Sequence, residues 1–272
     1  MNYSEQLRVG VLPLARPTFD VPYAEQICQD AWKLMENIPV DWIGSSDLLF
    51  DTKSVESQLS IFKKEHLDLL LILQMTFTDA SMTVKLAETF DVPLLFWSFP
   101  EKRTGGRLRL NSLCGVNLAA HALGKSGIQC DYLNLNPQDP ETQDELASWI
   151  RAFQTRKNLA STKIAVIGEH PDGFHTCSFD SNKLMDITGV TVKQIELPEL
   201  FNEADKITID TVVEARSQLD LQINGLDQVE QDPLEKSIRI LSALRRKAEK
   251  EGYKGFSIRC WPEFFTEYGC AA

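Results

Sequence analysis

Residues 68–73 read DLLLIL, five large aliphatic residues in a row behind one aspartate. A strand that presents apolar side chains on both faces must be covered on both. That is the position of an interior strand in a parallel sheet sandwiched between helices. The run is far too short to cross a membrane, which takes about 20 such residues in a helix. It also has company: residues 7–13 (LRVGVLP) and 93–97 (PLLFW) are similar short apolar runs. The stretches between them carry helical spacing, as at Ile27, Ala31, Leu34 and Met35.

Extended along the chain, this alternation predicts strands at 7–13, 40–43, 68–73, 93–97 and 129–133. Helices are predicted at 23–35, 55–65, 79–90, 111–123 and 142–153. Repeated strand-then-helix units imply parallel pairing through right-handed crossovers, with helices on both faces. Residues 1–157 therefore read as one doubly wound, Rossmann-like domain. A second α/β unit, residues 158–272, repeats the theme with strands at 163–168, 190–197 and 255–260 and a helix at 178–187. A polar, mainly helical stretch fills 198–250, strongest over 234–250. Three strands are fewer than the about five to six of an average sheet, and no helix follows residues 255–260 to cover Phe256 and Ile258. The expectation is two Rossmann-like domains with parallel sheets, the second incomplete and truncated. Its open apolar strand should then draw in another chain.

Composition narrows the function. The formal charge is 28 − 39 = −11, which disfavours nucleic acid or an anionic membrane surface as a partner. No apolar run reaches membrane-spanning length, and no leader-like segment opens the chain. The six cysteines (Cys28, Cys114, Cys130, Cys177, Cys260, Cys270) form no C-x-x-C pair and read as mostly buried thiols of a cytoplasmic protein.

In open α/β sheets ligands bind beyond the carboxyl ends of the strands. There the sequence delivers Arg16, then Gln74, Thr76 and Asp79, then Trp97, Glu101, Arg103 and Arg107, and in the second unit His170, His175, Arg259, Trp261 and Glu263. Amide, hydroxyl and guanidinium groups beside aromatic rings suit a polyhydroxylated ligand, whose hydroxyls they bond and whose C–H face the rings cover. Arg16, Gln74, Thr76, Trp97, Arg103, Arg259 and Trp261 are the substrate-binding candidates. Each has a plainer reading: Arg16 as a surface ion-pair partner, Trp261 as packing, Asp79 as a helix-terminal carboxylate. Gly105-Gly106 fits no phosphate-binding motif. His170 and His175 offer imidazoles for a metal, but a spacing of five inside a loop fits polar loop histidines better.

The segments RVGVLPLARPTFD (8–20), LQMTFTDA (73–80), PLLFWSFPEKRTGGRLRLNSLCGVN (93–117) and GFSIRCWPEFFTEYG (255–269) together resemble the L-fucose isomerase/L-arabinose isomerase family. The resemblance implies two N-terminal Rossmann-like domains, a trimeric or hexameric homo-oligomer, and aldose–ketose interconversion of a monosaccharide with manganese. It implies that the metal-binding glutamate, aspartate and histidine follow the Trp-Pro-Glu segment, beyond Ala272, so that this chain holds no metal ligand and no catalytic residue of that set. Glu263 is then the candidate carboxylate within the chain. Arg16 matches the family's arginine that reaches a neighbouring subunit's sugar, and Arg259, Trp261 and Glu263 fall where the second domain approaches substrate. The alternative is a non-catalytic, cytosolic sugar-binding or regulatory module.

Overall fold

The computed structural model describes residues 6–103 and 105–270. Two compact units divide the chain, Met1–Lys157 and Asn158–Ala272. In the first, strands β1 (Arg8–Leu14), β2 (Asp41–Gly44), β3 (Leu69–Gln74), β4 (Leu94–Ser98) and β5 (Asp131–Asn134) alternate with helices α1 (Val21–Met35), α2 (Thr52–Phe62), α3 (Ser81–Thr89), α4 (Ser112–Lys125) and α5 (Thr142–Ala160). All strand pairs are parallel, in the order β2-β1-β3-β4-β5.

The unbroken apolar run at β3 is explained by its register. Leu69, Leu71 and Leu73 face one core with Ala24, Ile27 and Ala31 of α1 and Leu146 and Ile150 of α5. Leu70 and Ile72 face the other, with Val55 and Leu59 of α2, Met82 and Leu86 of α3, and Val116 and Ala119 of α4. Fully burying a leucine is worth about 1.5–3 kcal/mol, so a polar residue anywhere in this strand would open one core or the other. Helix starts follow local chemistry. Asp20 accepts the Tyr23 N–H at the head of α1, and Asp51 forms a capping box with Ser54 at the head of α2.

The second unit comprises β6 (Lys163–Ile167), α6 (Ser181–Thr188), β7 (Thr191–Ile195), α7 (Leu197–Asp205), α8 (Ile209–Asp220), α9 (Gln231–Glu251) and β8 (Gly255–Ile258). Its parallel sheet has the order β7-β6-β8. Ala165, Ile167 and Ile195 are buried with Leu200 and Phe201 of α7, Val212 of α8 and Ala243 of α9. The opposite face is thinly covered: Ile164, Val166 and Val192 are half-buried, and α6 buries none of its residues.

The uncovered last strand is corrected here. Phe256 and Ile258 are half-buried and pack on the unit's core. A single π-helical turn, Phe264–Tyr268, brings Phe264, Tyr268 and Cys270 into that core. The Tyr268 ring stacks on Phe201 at 4.8 Å and Phe264 meets it edge-on at 5.4 Å. Two aromatic rings on a short turn thus supply part of the cover that a helix was expected to give. The cysteines are corrected too: only Cys28 and Cys270 are buried, whereas Cys114, Cys177 and Cys260 are exposed. These three sit on the outer first turn of α4, in a short 3-10 turn, and in the loop after β8.

Candidate functional site

The loops after β1, β3 and β4 are fastened to one another by hydrogen bonds from backbone N–H groups. The Arg16 N–H donates to Thr76 Oγ1 at 2.7 Å, the Phe77 N–H to the Leu110 carbonyl at 2.8 Å, and the Asp20 N–H to the Arg109 carbonyl at 3.1 Å. The junction of β1 with β3 is where the strand order reverses, the usual place for a ligand in such a sheet.

Three of the substrate-binding candidates lie beneath this surface rather than on it. Trp97 is 0% exposed, and its Nε1 donates to the Leu135 carbonyl at 2.9 Å. Gln74 is buried, its Nε2 donating to the Thr76 carbonyl and to Thr78 Oγ1 at 2.7 and 3.0 Å. Gly115 makes room for it: a Cβ there would stand 2.8 Å from Gln74 Nε2. Thr76 is buried and spends its hydroxyl on the Arg16 N–H and the Phe77 carbonyl. Ser112 ties the floor together, accepting from the Phe99 N–H at 3.0 Å and donating to the Gln74 carbonyl. These side chains shape the loops; a solute in contact with the surface does not reach them.

What the surface offers is guanidinium and aromatic. Arg16 pairs with Asp79 and lies 5.9 Å from the centre of the Phe77 ring. Arg107 stands 5.1 Å above Phe19 and donates to the Thr18 carbonyl at 3.1 Å. Arg109 covers Tyr23 at 3.7 Å and pairs with Asp20 at 2.7 Å. The Arg109 hydrogen bond, then the Tyr23 N–H, hold the Asp20 carboxyl below its ordinary pKa. Asp79 is also lowered, first by its hydrogen bonds from Ser81 and less by Arg16. It therefore serves both as a helix-terminal carboxylate and as the ion-pair partner foreseen for Arg16.

The β4–α4 loop has an internal anchor that the sequence did not announce. Glu101 accepts the backbone N–H groups of Arg109, Asn111 and Leu110 at 2.6, 2.7 and 3.1 Å. Asn111, at φ 51°, is the one non-glycine residue in the left-handed region among the described residues, and asparagine tolerates that turn well. Residues 102–103 and 105–108 are thereby looped out into solvent, carrying exposed Arg103 and Arg107. Across 15–20, 75–79 and 99–111 there are five basic residues (Arg16, Lys102, Arg103, Arg107, Arg109) and three acidic ones (Asp20, Asp79, Glu101), 5 − 3 = +2. A chain of net charge −11 thus keeps a locally positive patch in the loops after β1, β3 and β4, a location that concentrates anionic solutes.

In the second unit, Gly168 follows β6 at φ 76°, and a Cβ there would sit 2.9 Å from Arg259 Cβ. Its bare backbone lets the end of β8 approach, with the Arg259 N–H donating to the Ile167 carbonyl at 2.9 Å. Arg259 forks onto Glu263, at 2.6 and 3.0 Å to its two carboxylate oxygens. Glu263 is therefore a paired carboxylate, not an open one. Trp261 is 60% exposed, free of the packing role that was its plainer reading. His170 and His175 lie exposed in the loop after β6.

The manganese implied by resemblance finds no ligand set here. Among the described residues no group of three or more His, Cys, Asp or Glu side chains converges to hold a metal ion, and no reaction step is assigned to one. No helix among those residues is long and apolar enough to cross a membrane.

A parallel doubly wound sheet with a polar, arginine-rich surface at its strand ends defines the class: a Rossmann-like α/β domain, the kind whose ligands as a rule sit at that edge. Residues 10–163 match the N-terminal domain of fucose/sulfoquinovose isomerases, and the chain belongs to that family. It is 30% identical over 266 residues to a sulfoquinovose isomerase of Alkalicoccus urumqiensis, covering 98% of this chain and 59% of the relative. A sulfoquinovose isomerase of Priestia aryabhattai is 28% identical over 260 residues, 96% of this chain and 58% of that protein. One from Clostridium sp. (strain MSTE9) is 27% identical over 266 residues, with 97% and 59% covered. The chain thus spans somewhat under three fifths of the length of these relatives.

Proposed function

We propose that this chain forms the substrate-facing portion of an aldose–ketose isomerase of carbohydrate metabolism, and that its monosaccharide is an acidic one, sulfoquinovose or a near relative. The observation that carries this reading is the positive patch at the ends of β1, β3 and β4, in a family of sugar isomerases and on a chain otherwise strongly acidic. Guanidinium groups donate to sugar hydroxyls and to a sulfonate alike, while the half-buried rings of Phe19 and Phe77, 6.3 Å apart, suit a sugar's C–H face.

The reaction moves a proton. The C2–H of the aldose is lost as a proton, an enediol forms, and a proton returns to C1 as the carbonyl shifts to C2, with no net oxidation. Acid–base groups beside the two carbons conduct it. Arg16, Arg107 and Arg109 hold and orient the sugar in this reading. A divalent metal, manganese by resemblance, supplies Lewis-acid polarisation of the carbonyl when bound; its ligands are proposed to lie outside the described residues. A homo-oligomer, trimeric or hexameric, in the cytoplasm completes the proposal.

Calorimetric titration of the chain with sulfoquinovose tests the site. Loss of deuterium from C2-labelled sulfoquinovose to water, with manganese present, tests the reaction. Binding with label loss is expected of the complete isomerase. Binding without any label loss in the complete polypeptide favours the non-catalytic module, and absence of binding refutes both.

A further inference from the structure

A cavity of about 280 Å³ opens beside the ends of β4 and β5, with Glu101, Arg103, Asn111, Ser112, Asn117 and Asn134 among its walls. Its polar groups are unequally occupied. Glu101, the carboxylate in the wall, is already satisfied by the three backbone N–H groups of 109–111. Ser112 has spent its hydroxyl on Phe99 and Gln74. Asn134 Oδ1 accepts from Ser98 Oγ at 2.8 Å, which leaves its NH₂ as a donor. Arg103 is exposed and has neither an ion-pair partner nor a hydrogen bond among the described residues. The cavity therefore presents one guanidinium without a partner among the described residues and amide donors, while its one carboxylate is turned to backbone amides.

We infer that this cavity is the subsite for the acid group of the substrate, in which Arg103 binds a tetrahedral oxyanion, sulfonate or phosphate, and the Asn134 and Asn117 amides add donors. The inference rests on the reading that the chain binds an acidic sugar, and it assigns that acid a place. A volume near the lower edge of the about 300–1,000 Å³ of small-molecule sites has room for a charged substituent together with the part of the sugar that carries it. The β1–β3 junction lies about two strand spacings away, roughly 10 Å, comparable with the length of a hexose bearing a substituent on its last carbon. Guanidinium matches a tetrahedral oxyanion with two parallel N–H donors, a geometry a lysine lacks.

The test is calorimetric titration of the wild-type chain, Arg103→Gln and Arg103→Lys with sulfoquinovose, glucose 6-phosphate and 6-deoxyglucose. The wild type should prefer the acid-bearing sugars over 6-deoxyglucose by about 10- to 100-fold, the range of a charged hydrogen-bonded contact. Arg103→Gln should abolish that preference and leave 6-deoxyglucose binding unchanged, and Arg103→Lys should restore part of it. The tighter of sulfoquinovose and glucose 6-phosphate names the acid. A preference that survives in Arg103→Gln, or a loss shared equally by charged and neutral sugars, overturns the subsite and leaves the sugar reading standing. Failure of the wild type to bind any of the three overturns both.

Discussion

Lys247 offers the sharpest test of how the second unit is held together. It sits on α9 with its side chain only 2% exposed, and its ammonium donates to Glu199, Glu203 and Glu251 at 2.8, 3.1 and 3.1 Å. Burial works against the charged form, but the three carboxylate bonds outweigh it and raise its pKa above the ordinary lysine value. Lys247→Met keeps the apolar stem and removes the charge, leaving three carboxylates facing one another. Breaking a dry ion pair from one side costs about 3–5 kcal/mol. Here the carboxylates are 52%, 28% and 26% exposed and relax toward water, so about 2–3 kcal/mol is expected. Hydrogen exchange read by peptide should show that loss as an about 30- to 150-fold drop in protection across the second unit, with the first unit unchanged. Adding Glu203→Gln should recover part of it by easing the repulsion. The same cluster predicts an acid dependence. Lys247 holds the Glu251 carboxyl down to about 2, against burial, with Tyr253 assisting. A folded pKa below the unfolded one means the stabilisation is whole above about pH 4.5 and is lost as pH falls toward 2. The Lys247→Met variant should lose this slope. Protection within twofold of wild type, or an equal loss in both units, would refute the argument.

Other perturbations separate framework from surface. Gly115→Ala should destabilise the first unit by about 1–3 kcal/mol in urea melts, despite alanine's better helix propensity, because the new Cβ meets Gln74; a stabilised variant would mean that the amide swings aside freely. Arg16→Ala, which loses an exposed pair with Asp79 and a distant contact with the Phe77 ring, should stay within about 1 kcal/mol of wild type while weakening sugar binding in the same calorimetric assay. Glu101→Gln should speed limited proteolysis within residues 102–108, since its amide nitrogen cannot accept an N–H; unchanged cleavage would show that the loop is held by other means.

Strands were easiest to read where both faces are buried. The run at 68–73 is β3 within one residue, because nothing but an interior parallel strand tolerates five aliphatic residues in a row. Ends defined by polar residues were harder. Helix α5 continues to Ala160, well past Phe153, through a stretch whose polar side chains carry no apolar period. At the candidate site, position was legible and accessibility was not. A glutamine, a threonine and a tryptophan at strand ends look alike in sequence whether they meet a ligand or brace a loop, and only the packing of Gly115 over Gln74 and of Leu135 beside Trp97 decides it. The Glu101 anchor was out of reach because its partners are backbone amides, which every residue possesses. The cover over β8 was missed because five residues make too short a signal, although the aromatic content of FFTEY pointed to burial.

The Glu101 anchor also bears on how such a chain can change its habits. Both ends of the β4–α4 excursion are gripped by one carboxylate and three amides, so the described residues between them, apart from Arg107 with its contacts to Phe19 and Thr18, answer to solvent more than to the fold. Loop closure grows only slowly with length, and side chains that touch no core cost little to exchange. The excursion thus forms a replaceable cassette: new lengths and new charges can be tried there, one change at a time, while the sheet beneath keeps its sequence and its stability.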